Sequence, residues 1–221
     1  MGKKDVNAIV SGAGWIGSFA GQLVEDLEDL GVSPEDIHKL GKPTKEGRSL
    51  VRACAEKIAE AINGKKSEFL RLLTGGEMLV LDECDGVNTI ADAGDVFNFI
   101  DSDFKKWGAD EKGPATGKTP VHVYEMEKNG TYSQLFGSLS SDLQKLCLTQ
   151  DQILCFIKKH RNWLRTDGYG TFFPFRSNDN FFVASVFFGS DGRLRVYVHG
   201  MTDAYVWDAE YRRRVVVSQL V

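Results

Sequence analysis

Arginine and aromatic side chains near the end of the chain are the ones best suited by type and spacing to contact a ligand. Arg212 and Arg214 are two residues apart and lead into an apolar run at 215–217, while Arg195 and Tyr197 alternate with apolar residues in an earlier run. Because alternate residues of a β-strand share a face, each pair is predicted to lie on one side of its strand. If the two strands are neighbours, these four side chains form one basic, aromatic sheet face.

Two interpretations of this face stay open. Residues 151–221 hold 10 basic against 7 acidic residues, a net charge of +3, and 14 of the 24 aromatic residues of the chain. Residues 1–150 hold 17 basic against 24 acidic residues, a net charge of −7. Arginines beside exposed rings suit phosphate contact and base stacking. Alternatively, the rings fill the core and the arginines keep an edge strand from pairing with other edges.

A glycine motif at Gly12, Gly14 and Gly17 matches the dinucleotide fingerprint G-x-G-x-x-G, with a short apolar run at 8–10 before it. A dinucleotide site also needs an acidic residue at the end of a second strand about 20 residues later, to bind the ribose. Residues 33–36, which follow here, have the pattern of a helix start instead. We therefore interpret the motif as a lead into the first helix, and no cofactor is predicted.

Three carboxylates, Asp82, Glu83 and Asp85, follow a predicted strand at 78–81. Carboxylates at a strand end are a common arrangement around a metal ion, but these lack the spacing of a calcium loop. They define the alternative function, a small-molecule or metal-dependent enzyme whose site combines them with His122. A solvated turn is the competing interpretation, and no metal ligand set is predicted.

Other catalytic patterns are not found in the sequence. Cys155 and His160 are five residues apart on a predicted helix, which places them roughly 140° apart around its axis. The four cysteines are widely spread and form no C-x-x-C pair, which is typical of reduced thiols in a cytoplasmic protein. No apolar run approaches the roughly 20 residues that span a bilayer.

The periodicities predict an α+β protein. Residues 1–64 are predicted to be a helical N-terminal region, and residues 65–221 an α+β domain with helices packed on a mainly antiparallel β-meander sheet. The stretch 108–120 is rich in glycine, proline, threonine and lysine, which predicts a flexible loop or a domain boundary. The run at 181–188 is apolar at nearly every position, which predicts a central strand covered on both faces.

Four segments carry a resemblance to known sequences: LCLTQ at 146–150, WLRTDGYGTFF at 163–173, VVVSQL at 215–220 and IDSDFK at 100–105. Together they resemble a group of uncharacterised bacterial hypothetical proteins. The resemblance covers the last two-thirds of the chain and leaves out the first 60 residues. It implies a bacterial cytoplasmic protein, and it assigns no catalytic residue because no activity is established for that group.

These observations lead to one functional hypothesis and one alternative. Because no coherent acid–base, nucleophile or metal set is found, we expect a non-enzymatic, cytoplasmic binding or regulatory module that uses the face with Arg195, Tyr197, Arg212 and Arg214. A protein is the expected partner, and nucleic acid contacting the arginine-rich C-terminal segment is the second choice. A membrane is not expected. The alternative is the enzyme site at Asp82, Glu83, Asp85 and His122.

Overall fold

The computed structural model describes residues 6–40, 42, 44–45, 47–54, 67–75 and 78–219. Contacts divide the chain into two units, Met1–Ile58 and Ala59–Val221. The predicted boundary between residues 64 and 65 lies outside the described residues. No helix among the described residues is long and apolar enough to cross a bilayer.

The described part of the first unit consists mainly of helices. Helix α1 spans Val6–Asp29 and helix α2 spans Pro34–Leu40, and residues 47–54 are helical as well. Gly31, at a φ of 82°, adopts the left-handed conformation common after helix ends. The glycine motif lies inside α1, so the strand and turn that a dinucleotide site requires are replaced by continuous helix.

The second unit is built on an eight-stranded sheet with helices on both faces. The strands are β1 (Leu70–Leu72), β2 (Leu79–Leu81), β3 (Phe99–Ile100), β4 (Thr119–Met126), β5 (Thr171–Ser177), β6 (Asn180–Phe188), β7 (Leu194–Gly200) and β8 (Arg214–Ser218). The helices are α3 (Asp103–Lys106), α4 (Tyr132–Gly137) and α5 (Gln150–Lys159). Short 3₁₀ helices lie at Ile90–Asp92, Leu143–Leu146, Arg161–Trp163 and Ala209–Tyr211. The α+β class is therefore confirmed.

The sheet is mixed, which corrects the predicted mainly antiparallel meander. Its order is β1-β4-β8-β5-β6-β7-β3, with β2 also paired to β4. Strands β5, β6 and β7 form an antiparallel meander, but β8 is parallel to β5 and β3 is parallel to β7. The reason is that residues 201–213 carry the chain back across the sheet, so β8 lies beside β5 and not beside β7.

Side chains alternate between two hydrophobic cores, one on each face of the sheet. The α5 face packs Phe173, Val196 and Val216 with the apolar side of α5. The α4 face packs Phe172 and Val215 with α4. Strand β6 contributes to both cores and has β5 and β7 as neighbours, which confirms the predicted central strand.

Local sequence signals fix the main helix of the α5 face. Thr149 caps α5, since its hydroxyl accepts from the backbone N–H of Gln152 and the Gln152 side chain accepts from the backbone N–H of Thr149. This reciprocal pair of bonds is a capping box, which the T-x-x-Q pattern at 149–152 predicts from the sequence alone. Residues 108–118 hold no helix or strand, but the backbones of Thr116 and Cys84 are paired, which ties this stretch to the end of β2.

Candidate functional site

The four predicted binding residues do not share one face. Strands β5 and β6 lie between β7, which carries Arg195 and Tyr197, and β8, which begins at Arg214. Arg214 is two residues before Val216, which packs on the α5 face, so Arg214 is on that face as well. Arg195 and Tyr197 are the direct neighbours of Val196, which also packs on the α5 face, so their side chains are on the α4 face. The predicted single face is therefore wrong, because the two strands are not neighbours.

Arg214 and Arg212 differ in their surroundings. Arg214 donates from Nη1 to the carbonyl oxygens of Trp163, at 2.8 Å, and Leu164, at 3.4 Å. Arg212 precedes β8 in a left-handed turn with a φ of 44° and is exposed. Arg212 and Arg214 share no surface with Arg195 and Tyr197, so the arrangement does not support their predicted role in binding.

Arg195 and Tyr197 are brought together on the α4 face, near the edge of the sheet. The ring of Tyr197 stacks on Phe187 with centroids 5.6 Å apart and contacts Phe99 at 5.1 Å. Arg195 lies 3.7 Å from a carboxylate oxygen of Asp191. These two residues remain predicted contact residues, in a row of half-exposed rings.

A second cluster on the α4 face was missed by the sequence analysis. We call it the Trp207 surface, and it consists of Tyr169, Tyr205, Trp207, Tyr211 and Arg213. The guanidinium carbon of Arg213 lies 4.7 Å from the ring centroid of Trp207, 4.9 Å from that of Tyr211 and 5.9 Å from that of Tyr169. Tyr169 and Tyr211 stack at 4.7 Å, and Tyr205 meets Trp207 edge-on at 4.7 Å. One arginine is therefore surrounded by three rings.

The loop at 201–213 holds this surface in place. The backbone of Trp207 pairs with Gly130 through hydrogen bonds of 2.9 and 3.1 Å, and Ala209 N donates to Asn129 Oδ1 at 2.8 Å. The indole packs on Phe172, at 4.9 Å between centroids, and on Tyr132, at 5.2 Å. The loop is thus fixed at its middle to a buried base, which is typical of binding loops on rigid scaffolds.

Part of the Trp207 surface is open to solvent and carries charge without a paired carboxylate. Tyr205 is 59% exposed, Val206 is 55% exposed and Tyr211 is 36% exposed. Burial lowers the pKa of Arg213, whose Nη1 donates to the carbonyl oxygen of Asp208 at 3.1 Å. Among the described residues, no carboxylate lies within ion-pair distance of Arg213. The carboxylate of Asp208 acts on Arg213 only through a longer-range electrostatic interaction, and the guanidinium forms no ion pair among the described residues.

His199 lies beneath this surface. Its ring is 5.7 Å from Tyr132 and 5.6 Å from Trp207. Burial lowers the pKa of His199, and the carboxylates of Asp203 and Asp101 oppose that shift. Burial likewise lowers the pKa of His122, on β4.

We expect acid to destabilise the fold through these two histidines. A depressed folded pKa means that the unfolded chain binds more protons, so stability is complete above the ordinary histidine pKa of about 6.5 and falls as the pH drops through it. The melting temperature should fall between about pH 7 and about pH 5.5, a range above ordinary carboxylate titration. The double variant His122→Gln with His199→Gln should show a flatter profile. If the melting temperature of the double variant depends on pH as steeply as that of the unchanged protein, the attribution to His122 and His199 is wrong.

The predicted enzyme site is only partly assembled. Asp82, Glu83 and Asp85 line a cleft of about 810 Å³ between the end of β2 and α5. His122 does not join them: it pairs with Val217 on β8 and meets Tyr124 edge-on at 6.0 Å, on the α4 face. The combination with His122 is therefore wrong, because alternation along β4 turns this side chain to the other side of the sheet.

The cleft has the character of a solvated acidic surface. Lys159 forms an ion pair with Asp82 at 2.6 Å, and this hydrogen bond lowers the pKa of Asp82. Within the described ranges, no group of three or more histidine, cysteine, aspartate or glutamate side chains is placed to hold a metal ion.

Comparisons with known proteins found no relative of this chain. No protein-family model matches the chain, and no curated protein or solved structure is significantly similar to it. The resemblance of its C-terminal two-thirds to bacterial proteins is therefore untested and stays a prediction.

Proposed function

We propose that this protein is a binding module that recognises a protein partner through the Trp207 surface. The observation that carries the proposal is Arg213, surrounded by three rings and without a carboxylate partner among the described residues. Tryptophan, tyrosine and arginine are the residues that most often dominate binding energy at protein interfaces. Exposed Tyr205 and Val206 extend the surface with apolar area.

The charge around the surface favours a protein over a nucleic acid. Asp203, Asp208 and Glu210 all belong to the loop that carries Trp207. Nucleic-acid affinity depends on neutralising several phosphates with basic residues, and three nearby carboxylates oppose that. Protein interfaces accept mixed charge at their rim when the centre is aromatic.

The same residues define the chemistry of the partner. Arg213 has an unpaired charge beside apolar rings, and Arg212 next to it is exposed. A segment with a carboxylate beside an aliphatic or aromatic side chain would pair with the arginine and cover the rings at once. Arginine forms strong charge-assisted bonds with carboxylates, particularly where water is excluded. The partner is therefore a mainly apolar protein segment with one carboxylate placed to reach Arg213, since further carboxylates would be repelled by Asp203, Asp208 and Glu210.

Selection from a display library of short random peptides tests this proposal directly. The full chain serves as bait, and the variant Arg213→Ala serves in a parallel selection. We expect peptides enriched on the full chain to combine aspartate or glutamate with apolar residues, and to lose at least about tenfold in affinity with Arg213→Ala. Tyr205→Ala should also lower the affinity for these peptides.

A titration with nucleic acid tests the competing class of partner. Labelled single-stranded DNA and RNA are titrated at low and at moderate salt, with salt-sensitive binding as the signature of phosphate contact. We expect no such binding at the Trp207 surface. Salt-sensitive binding that Arg213→Ala removes would overturn the protein-partner proposal, as would a selection whose peptides bind Arg213→Ala equally well.

A further inference from the structure

We propose that Cys84 and Cys155 are an oxidisable pair of thiols that forms a reversible disulfide across the acidic cleft. Both cysteines line this cleft and both are half-buried and free. They come from separate elements, since Cys84 follows β2 and Cys155 lies on α5. The hydrogen-bonding contact between the two thiols is among the causes that raise the pKa of Cys84.

Hydrogen bonds tie the segment around Cys84 to the 108–118 stretch and to α5. Cys84 N donates to Thr116 O at 3.0 Å, and Thr116 N donates to Cys84 O at 2.8 Å. The buried carboxylate of Asp151, one turn before Cys155, accepts from Gly86 N at 2.9 Å and from Asn88 Nδ2 at 3.0 Å. Asp151 therefore fixes the segment that follows Cys84 to the helix that carries Cys155, and both cysteines line the same cleft.

The raised pKa of the Cys84 thiol sets the order of the reaction. Burial and the contact with Cys155 raise the pKa of Cys84 to about 11, which makes its thiol a poor attacking group, so we assign Cys84 to the second step. The oxidant we name is a small disulfide such as oxidised glutathione. The thiolate of Cys155 attacks one sulfur of that disulfide, which forms a mixed disulfide and releases one thiolate.

The second step closes the bond within the protein. Cys84 gives its proton to solvent and attacks Sγ of Cys155, which forms the Cys84–Cys155 bond and releases the second small thiol. In total the protein thiols lose two electrons and two protons, and the oxidant is reduced to two thiols. An excess of a small thiol reverses both steps.

Mass spectrometry of the intact full chain tests the pair. The protein is reduced, freed of reductant, incubated with oxidised glutathione, alkylated and digested without reduction. We expect a linked peptide containing Cys84 and Cys155, and free thiols that fall from four to two. Cys84→Ser and Cys155→Ser should each abolish the linked peptide, whereas Cys147→Ser should leave it unchanged.

Thermal unfolding gives a second readout that does not depend on the peptide analysis. A disulfide that closes a long loop constrains the unfolded chain, so the oxidised protein should melt about 5 °C or more above the reduced one. Oxidised Cys155→Ser should show no such rise. The inference is overturned if glutathione stays attached to both cysteines, or if no peptide links them after oxidation.

Discussion

Replacing Phe172 with alanine should lower the free energy of unfolding by about 3 to 5 kcal/mol. Phe172 is completely buried on the α4 face and contacts Tyr132 edge-on at 5.1 Å and Trp207 at 4.9 Å. Its removal leaves a cavity directly under the indole. Chemical denaturation followed by circular dichroism measures the loss.

Phe187 is the matched control for this substitution. It lies on the neighbouring strand β6 and on the same face, but it is only half-buried. Phe187→Ala should therefore cost clearly less than Phe172→Ala, because less apolar surface returns to water. Equal losses for the two variants would show that Phe172 does not form the base of the Trp207 surface.

Gly86→Ala should have a similarly large effect, a loss of about 2 to 5 kcal/mol. Gly86 has a φ of 80°, which disfavours any residue with a side chain. A Cβ there would lie 2.3 Å from Gly113 O and 2.5 Å from Pro114 O, both backbone atoms. The substitution thus combines backbone strain with displacement of the 108–118 stretch.

Gly192 separates these two contributions. It has a φ of 71°, but nothing lies within 4 Å of a Cβ built on it. Gly192→Ala should show the strain alone, about 1 to 2 kcal/mol, in the same denaturation experiment. If Gly86→Ala lowers the free energy of unfolding no more than Gly192→Ala does, the result contradicts the close packing of Gly86 against Gly113 and Pro114.

Local signals in the sequence predicted several elements correctly. The capping box at Thr149 begins α5, and the alternation in β7 gives one buried and one half-exposed face. Both depend on neighbouring residues alone, so one stretch of sequence contains the information. The α+β class follows from such elements without knowledge of their order in the sheet.

Elements stabilised by distant residues were not predictable in this way. Residues 67–73 have a helical pattern, yet Leu70–Leu72 form β1, in which Leu70 pairs with Met126 of β4 and is buried. Pairing with β4 overrides the local preference. The position of β8 beside β5 likewise depends on the crossover at 201–213.

The site was missed for a related reason. Alternation was applied to Arg212 and Arg214, but β8 begins only at Arg214 and Arg212 is in a left-handed turn. Arg213 is therefore the arginine that reaches the rings. A usable signal was present: Tyr205, Trp207 and Tyr211 occur together in a polar, turn-rich segment, and only Trp207 of the three packs against the core.

Titration of a selected peptide against matched arginine variants tests the central claim most directly. Arg193 is an exposed arginine that donates to Asn98 and has no ring contact among the described residues, so Arg193→Ala is the control for Arg213→Ala. We predict that Arg213→Ala raises the Kd about tenfold or more, and that Arg193→Ala changes it by less than about twofold. Equal effects of the two substitutions would contradict recognition through the Trp207 surface.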